Sequence, residues 1–160
     1  MAKENDLVIL AHLRKNGRKT LTELSKATSI PISTIFERLK VQRNDLIKKF
    51  TVLLDFQKLG FHTRAAIMLK VKKTDREPIK KYISANRHVN SCFRINNGYD
   101  LLIEGIFRNI QEVEEFLEYL EENYTIEKQQ TYFVIDTIKE EEFLSSPEYV
   151  QQADFCPEKM

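Results

Sequence analysis

Residues 89–107 read Val-Asn-Ser-Cys-Phe-Arg-Ile-Asn-Asn-Gly-Tyr-Asp-Leu-Leu-Ile-Glu-Gly-Ile-Phe. Two β-prone runs, 89–95 and 101–107, flank Asn96-Asn97-Gly98-Tyr99. Asn-Gly is the pair that a two-residue hairpin turn favours, because both central residues take positive φ. A hairpin here organises its surroundings. Before it, residues 64–71 alternate Ile67, Leu69 and Val71 onto one face of a strand, and Asp75 is placed to cap a helix entered by Glu77-Pro78 with Ile79, Tyr82 and Ile83 as its apolar stripe. After it, Asn109 and Glu112 have capping spacing. Ile110, Val113, Phe116, Leu117, Leu120 and Tyr124 then hold one helix face, while six glutamates from Glu112 to Glu122 give the other a solvated surface. A last strand is expected over 126–138.

The order is β-α-β-β-α-β, the ferredoxin-like split βαβ arrangement of an α+β fold. Its two helices cover one sheet face. Ala66, Met68, Tyr132 and Val134 fall on the other, and a second copy of the same sheet is the economical cover. That predicts a homodimer with an isologous interface.

The amino-terminal part has a different pattern. Leu7, Leu10, Ala11 and Leu13 give a first helix over 6–16, with Asn5 as its cap and Gly17 as a left-handed residue after it. Thr20-Leu21-Thr22-Glu23 has capping-box spacing and starts a second helix that ends near Thr28. After Ser29-Ile30-Pro31, a third helix is expected over 32–43, with Ile32, Ile35, Phe36 and Leu39 inward and Ser33, Thr34, Glu37, Arg38, Lys40 and Arg43 outward. Two short helices joined by a tight turn have the form of a helix-turn-helix. Hydroxyls near a helix N-terminus can approach phosphates or base edges, and Lys or Arg farther along can reach phosphate or guanine. Residues 46–54 are β-prone and expected to form a wing, with Lys48 and Lys49 available to phosphates.

Composition conceals this division. The chain has 160 residues with 25 Lys plus Arg, 24 Asp plus Glu and a formal net charge of +1. Residues 1–60 carry 12 basic and 6 acidic side chains, whereas 61–160 carry 13 and 18. A basic reader joined to an acidic module fits this asymmetry better than one uniform domain. Apolar runs are too short to span a bilayer, and the polar Met-Ala-Lys-Glu-Asn start is unlike a signal peptide, so no membrane association and a cytoplasmic location are expected. Cys92 and Cys156 occur without a CxxC or a neighbouring His, so reduced thiols and neither metal nor cofactor are expected. P-loop, Rossmann, HExxH and GxSxG patterns are absent.

With these modules in this order, the sequence resembles the Lrp/AsnC family of transcription regulators. The most specific likeness is residues 47–60, Ile-Lys-Lys-Phe-Thr-Val-Leu-Leu-Asp-Phe-Gln-Lys-Leu-Gly, which is similar to the family's segment joining wing to effector domain. Residues 33–40 are similar to its recognition helix, and Gly98-Tyr99-Asp100-Leu101-Leu102 falls at its effector-loop motif. The resemblance implies a winged helix-turn-helix over 1–50, a linker over 51–61, a ferredoxin-like effector and oligomerisation domain over 62–144 and a polar tail over 145–160. It also implies a dimer, or a tetramer or octamer built from dimers, on double-stranded promoter DNA, with an amino acid or other small effector between carboxy-terminal domains. Ser33, Thr34, Glu37, Arg38, Lys40, Arg43, Lys48 and Lys49 would form the DNA-facing set, and Asn97, Gly98, Tyr99 and Asp100 would line the effector cleft. The chain has Glu37-Arg38 where two basic residues are common, and Asn97-Gly98 where Gly-Asp is usual.

Two other functions are consistent with parts of this pattern. A winged helix can recruit protein instead of DNA. Sirohaem decarboxylases share the architecture, and such an enzyme would need a cationic pocket and a proton donor drawn from His12, His62, His88, Arg64, Arg87 and Arg94. These residues are scattered and form no paired catalytic motif, so no enzyme is expected.

Overall fold

Thr20 begins the best-defined local structure at the amino-terminal end. Its hydroxyl accepts from the Glu23 amide at 3.2 Å, and the Glu23 carboxylate accepts from the Thr20 amide at 2.7 Å. Such a reciprocal cap stabilises a helix by about 1 kcal/mol. In the computed structural model, which describes residues 4–150, this helix belongs to a unit formed by residues 4–53 together with 138–150; residues 54–137 form the second unit.

The first unit contains α1 (Glu4–Lys15), α2 (Leu21–Thr28), α3 (Ile32–Asp45) and α6 (Pro147–Val150). Ile9, Leu24 and Ile35 form its dry centre, with Leu13, Leu21, Ile30 and Leu39 packed around them. A second cluster joins Val8 and Ala11 of α1 to Val150 of α6. The carboxy-terminal segment through Val150 is therefore part of this unit. Residues 151–160, including Cys156, lie outside the described residues.

Several local expectations are corrected here. Asn5 is inside α1, which already runs from Glu4. Gly17 has no positive φ; Asn16 closes the turn instead, its side chain accepting from the Arg18 amide and its carbonyl from the Lys19 amide. Helix α3 continues two residues past Arg43. Its buried side is set by Ile35 and Gln42 with Arg38 and Leu39 half-buried, so Phe36, about 100° around the helix from Ile35, is exposed, as is Ile32. No strand forms over 46–54, because the stretch finds no strand to pair with among the described residues, and Phe50, Val52, Leu53 and Leu54 are exposed.

The second unit is an antiparallel four-stranded sheet, order β2-β3-β1-β4, built from β1 (Thr63–Val71), β2 (Val89–Arg94), β3 (Leu101–Phe107) and β4 (Ile126–Phe133). Helices α4 (Arg76–Ala85) and α5 (Ile110–Asn123) complete the expected β-α-β-β-α-β order. Ala65, Ile67, Leu69 and Val71 of β1 and Leu101, Ile103 and Phe107 of β3 share one core with Ile79, Ile83, Val113, Phe116, Leu117 and Leu120. The Asn109 side chain caps α5 by accepting from the Glu112 amide at 3.0 Å. Ile110, the first residue of α5, is exposed, whereas Val113 one turn on is fully buried against the sheet. Asp75 makes no capping bond to α4; its carboxylate accepts from the Thr125 amide at 2.8 Å and ties the entry of α4 to the start of β4. Strand β4 stops at Phe133, opposite Ala65, with one further bond from the Val134 amide to the Arg64 carbonyl; Ile135 and Ile138 beyond it are almost fully exposed.

Candidate functional site

The helix-turn-helix turn is held by side chains. Ser29 takes the left-handed conformation, with φ 57° and ψ 20°, as the cap of α2. The Ser25 hydroxyl donates to the Ile30 carbonyl at 2.7 Å, and the Thr28 hydroxyl accepts from the Ile30 amide. These bonds satisfy the polar groups of a turn that has to be short for α3 to pack beside α2.

Along α3 the sequence-predicted residues separate into two sets. Ser33, Glu37, Lys40 and Arg43 are exposed, and Lys48 and Lys49 are exposed in the irregular stretch that follows. Thr34 is half-buried. Arg38, expected outward, turns inward and places its Nη1 2.7 Å from a carboxylate oxygen of Asp6, which is buried in α1. The outward surface is thus polar and cationic around Ser33 and Lys40, with Glu37 beside them and the exposed ring of Phe36 at its flank. Such a surface can meet phosphates and base edges.

The hairpin supplies the second candidate site. Asn97 and Gly98 both take positive φ, 61° and 90°, as the two-residue turn requires. The Tyr99 hydroxyl donates to the side chain of Gln130 on β4 at 3.0 Å. Asp100 is committed to the fold: one carboxylate oxygen accepts from the Val71 amide at 3.0 Å, the other pairs with Arg76 at 2.8 Å, and its own amide donates to the Leu69 carbonyl.

Around Asp100 lies a cavity of about 160 Å³ lined by Val71, Arg76, Glu77, Lys80, Arg94, Asp100 and Leu101. Of the four predicted effector residues, only Asp100 reaches it. Arg76 and Lys80, which are not among the expected site residues, also line it. Three cations face two carboxylates, and both carboxylates already have partners, Arg76 for Asp100 and Lys80 for Glu77. The Arg76 Nε is buried without a hydrogen-bond partner. This arrangement favours an anionic group. A cluster of spaced Arg and Lys on a helix start facing a hairpin strand was the available signal, but their convergence depends on the strand order.

Of the groups an enzyme would draw on, the His12 Nδ1 is 3.0 Å from the Lys19 ammonium in the first unit; in the second, the Arg87 Nε lies 3.4 Å from the His88 Nε2, His88 stacks on Phe107 and Arg64 pairs with Glu104. Among the described residues, no group of three His, Cys, Asp or Glu side chains is placed to hold a metal, and no helix is long and apolar enough to cross a membrane.

Comparison with known proteins identifies the two modules. A family model described as Lrp/AsnC ligand binding domain matches residues 64–144, and one described as winged helix-turn-helix DNA-binding matches residues 3–41. The HTH-type transcriptional regulator FL11 of Pyrococcus horikoshii is 30% identical over 138 residues, covering 86% of this chain and 91% of that protein. A transcriptional regulator of Neisseria meningitidis, solved as an L-Met complex, superposes with a TM-score of 0.81 at 24% identity, covering 88% of this chain and 94% of that one. The LrpC structure of B. subtilis gives 0.80, also at 24% identity, over 87% and 98%. At these identities the structural likenesses show the fold.

Proposed function

Because the chain belongs to the Lrp/AsnC family of transcription regulators and is a sequence-specific DNA-binding protein rather than an enzyme, we propose that it binds promoter DNA as a homodimer and reads base pairs with α3. The observation that carries this is the exposed polar and cationic side of α3, with Ser33 near its start and Lys40 two turns on. Arg43, Lys48 and Lys49 add phosphate contacts, and Glu37 accepts from cytosine N4. Arg38 acts by holding α3 against α1. The sheet face opposite the helices carries Ala66, Met68, Phe93, Leu102, Ile106 and Tyr132, an apolar centre that a second sheet covers. Tetramers or octamers built from such dimers are in keeping with the family.

The cavity beside Asp100 is the proposed effector site. Its cations favour the carboxylate of an amino acid, while Asn97, Gly98 and Tyr99 shape the hairpin rim. The L-Met complex of the Neisseria relative supports an amino acid as ligand class.

The test is binding to the chain's own promoter region across a salt series. Ser33→Ala combined with Lys40→Ala should lower affinity at least tenfold, and wild-type affinity should fall steeply with salt. Affinity independent of salt would refute the reading and favour a protein partner for the winged helix. An amino-acid panel that leaves both DNA affinity and thermal stability unchanged would refute the effector site.

A further inference from the structure

Phe36 is the one large aromatic side chain among the described residues of α3, and it is 54% exposed. It stands three residues after Ser33 and four before Lys40, so the three share one side of the helix. Glu37 lies next to it. The inward stripe of α3 is filled by Ile35, Leu39 and Gln42, so Phe36 has no place in the core of its own unit. A bulky apolar ring held in water beside polar side chains needs an apolar contact that the isolated chain lacks.

The major groove offers one such contact, the C5 methyl group of thymine, which is the base feature that apolar side chains recognise. We propose that Phe36 is a specificity-determining residue that packs on a thymine methyl in each half-site. This rests on α3 being the base-reading helix. Ser33 and Lys40 on either side of it position the helix through polar contacts, and Phe36 adds selectivity that charge cannot supply. Glu37 cannot substitute in that role, because a carboxylate is repelled by phosphate and accepts only from an exocyclic amine.

The inference is tested with the full chain on duplexes selected from a random pool. A T·A pair should recur at a fixed position of each half-site for wild type and lose its preference in Phe36→Ala. Phe36→Leu should retain part of it. Replacing that thymine by deoxyuridine removes only the methyl and leaves the protein untouched. It should weaken wild-type binding about fourfold, the effect of one buried methyl, and leave Phe36→Ala unaffected. Equal wild-type binding to thymine and deoxyuridine duplexes at every selected position would overturn the inference, and the reader assignment would stand if Ser33→Ala with Lys40→Ala still weakens binding. If that double variant binds as tightly as wild type, both fall. A Phe36→Ala chain that changes assembly mass in sedimentation but keeps the same base preferences would show that a second copy covers the ring, and would also overturn the inference.

Discussion

Arg38 of α3 and Asp6 of α1 are joined across 32 residues of sequence by a 2.7 Å ion pair, with the carboxylate buried and the guanidinium only 26% exposed. The pair sets which side of α3 faces the core, and so which side faces outward. Arg38→Ala leaves a buried carboxylate without this partner, which should destabilise the first unit by about 2–4 kcal/mol, whereas the doubly neutral Asp6→Asn with Arg38→Gln should recover much of the loss. Chemical denaturation checks both. If Arg38 instead touched phosphate, its removal would reduce the salt slope of DNA binding by about one unit; the expected result is an unchanged slope.

Gly105 sits in the middle of β3, opposite Ala65 on one side and Val89 on the other. A Cβ at this position would come within 2.3 Å of the Phe107 ring. That ring is fully buried, stacked on His88 at 5.1 Å and against Phe116 at 5.7 Å, so it has little room to give way. Gly105→Ala should therefore cost about 2–3 kcal/mol, more than the loss of backbone freedom alone predicts in the opposite direction. A urea midpoint unchanged from wild type would show that Phe107 can move aside.

What was legible in the sequence was local. Thr20 with Glu23, Asn109 with Glu112, and Asn97-Gly98 each carry their partners within a few residues, and the elements they define stand where expected. Features that depended on a distant partner were not legible. Arg38 looked like a DNA contact because Asp6 is two helices away. Asp75 looked like a cap because Thr125, the group it serves, is 50 residues on. Residues 46–54 have strand composition, but composition does not supply a pairing edge. The cationic cavity was half legible: Asp100 belongs to a motif, whereas Arg76 and Lys80 reach it only once α4 is laid beside the hairpin. The placement of Arg43, Lys48 and Lys49 on the surface was legible from charge alone.

The carboxy-terminal segment makes a prediction of its own. Arg14 of α1 donates to the carbonyls of Phe143 and Glu141, at 2.5 and 2.9 Å, and pairs with the Glu141 carboxylate. Val150 is buried against Val8 and Ala11, with Leu144 beside them. The first unit is therefore assembled from the chain segments that precede and follow residues 54–137 in the sequence. A chain ending at Thr137 should keep the second unit intact while uncovering the apolar side of α1, a loss on the order of 3 kcal/mol for two aliphatic side chains. Calorimetry should show a lowered transition for the first unit and an unchanged one for the second.

His12 gives the first unit a pH dependence. Its pKa is held below 6.5, chiefly by burial and next by the Lys19 ammonium, which donates to the ring nitrogen at 3.0 Å. The folded state thus favours the neutral ring, and the unfolded chain binds a proton more readily. Stability from this source is complete above 6.5, declines as pH falls below that value towards the lower folded pKa, and then levels off. Glu148 opposes the shift, because its charge favours the protonated ring. Glu148→Gln should therefore steepen the acid loss, and His12→Asn should remove it. Denaturation midpoints measured between about pH 7.5 and about pH 5 read the difference; a His12→Asn chain with the same pH slope as wild type would place the titration on another group.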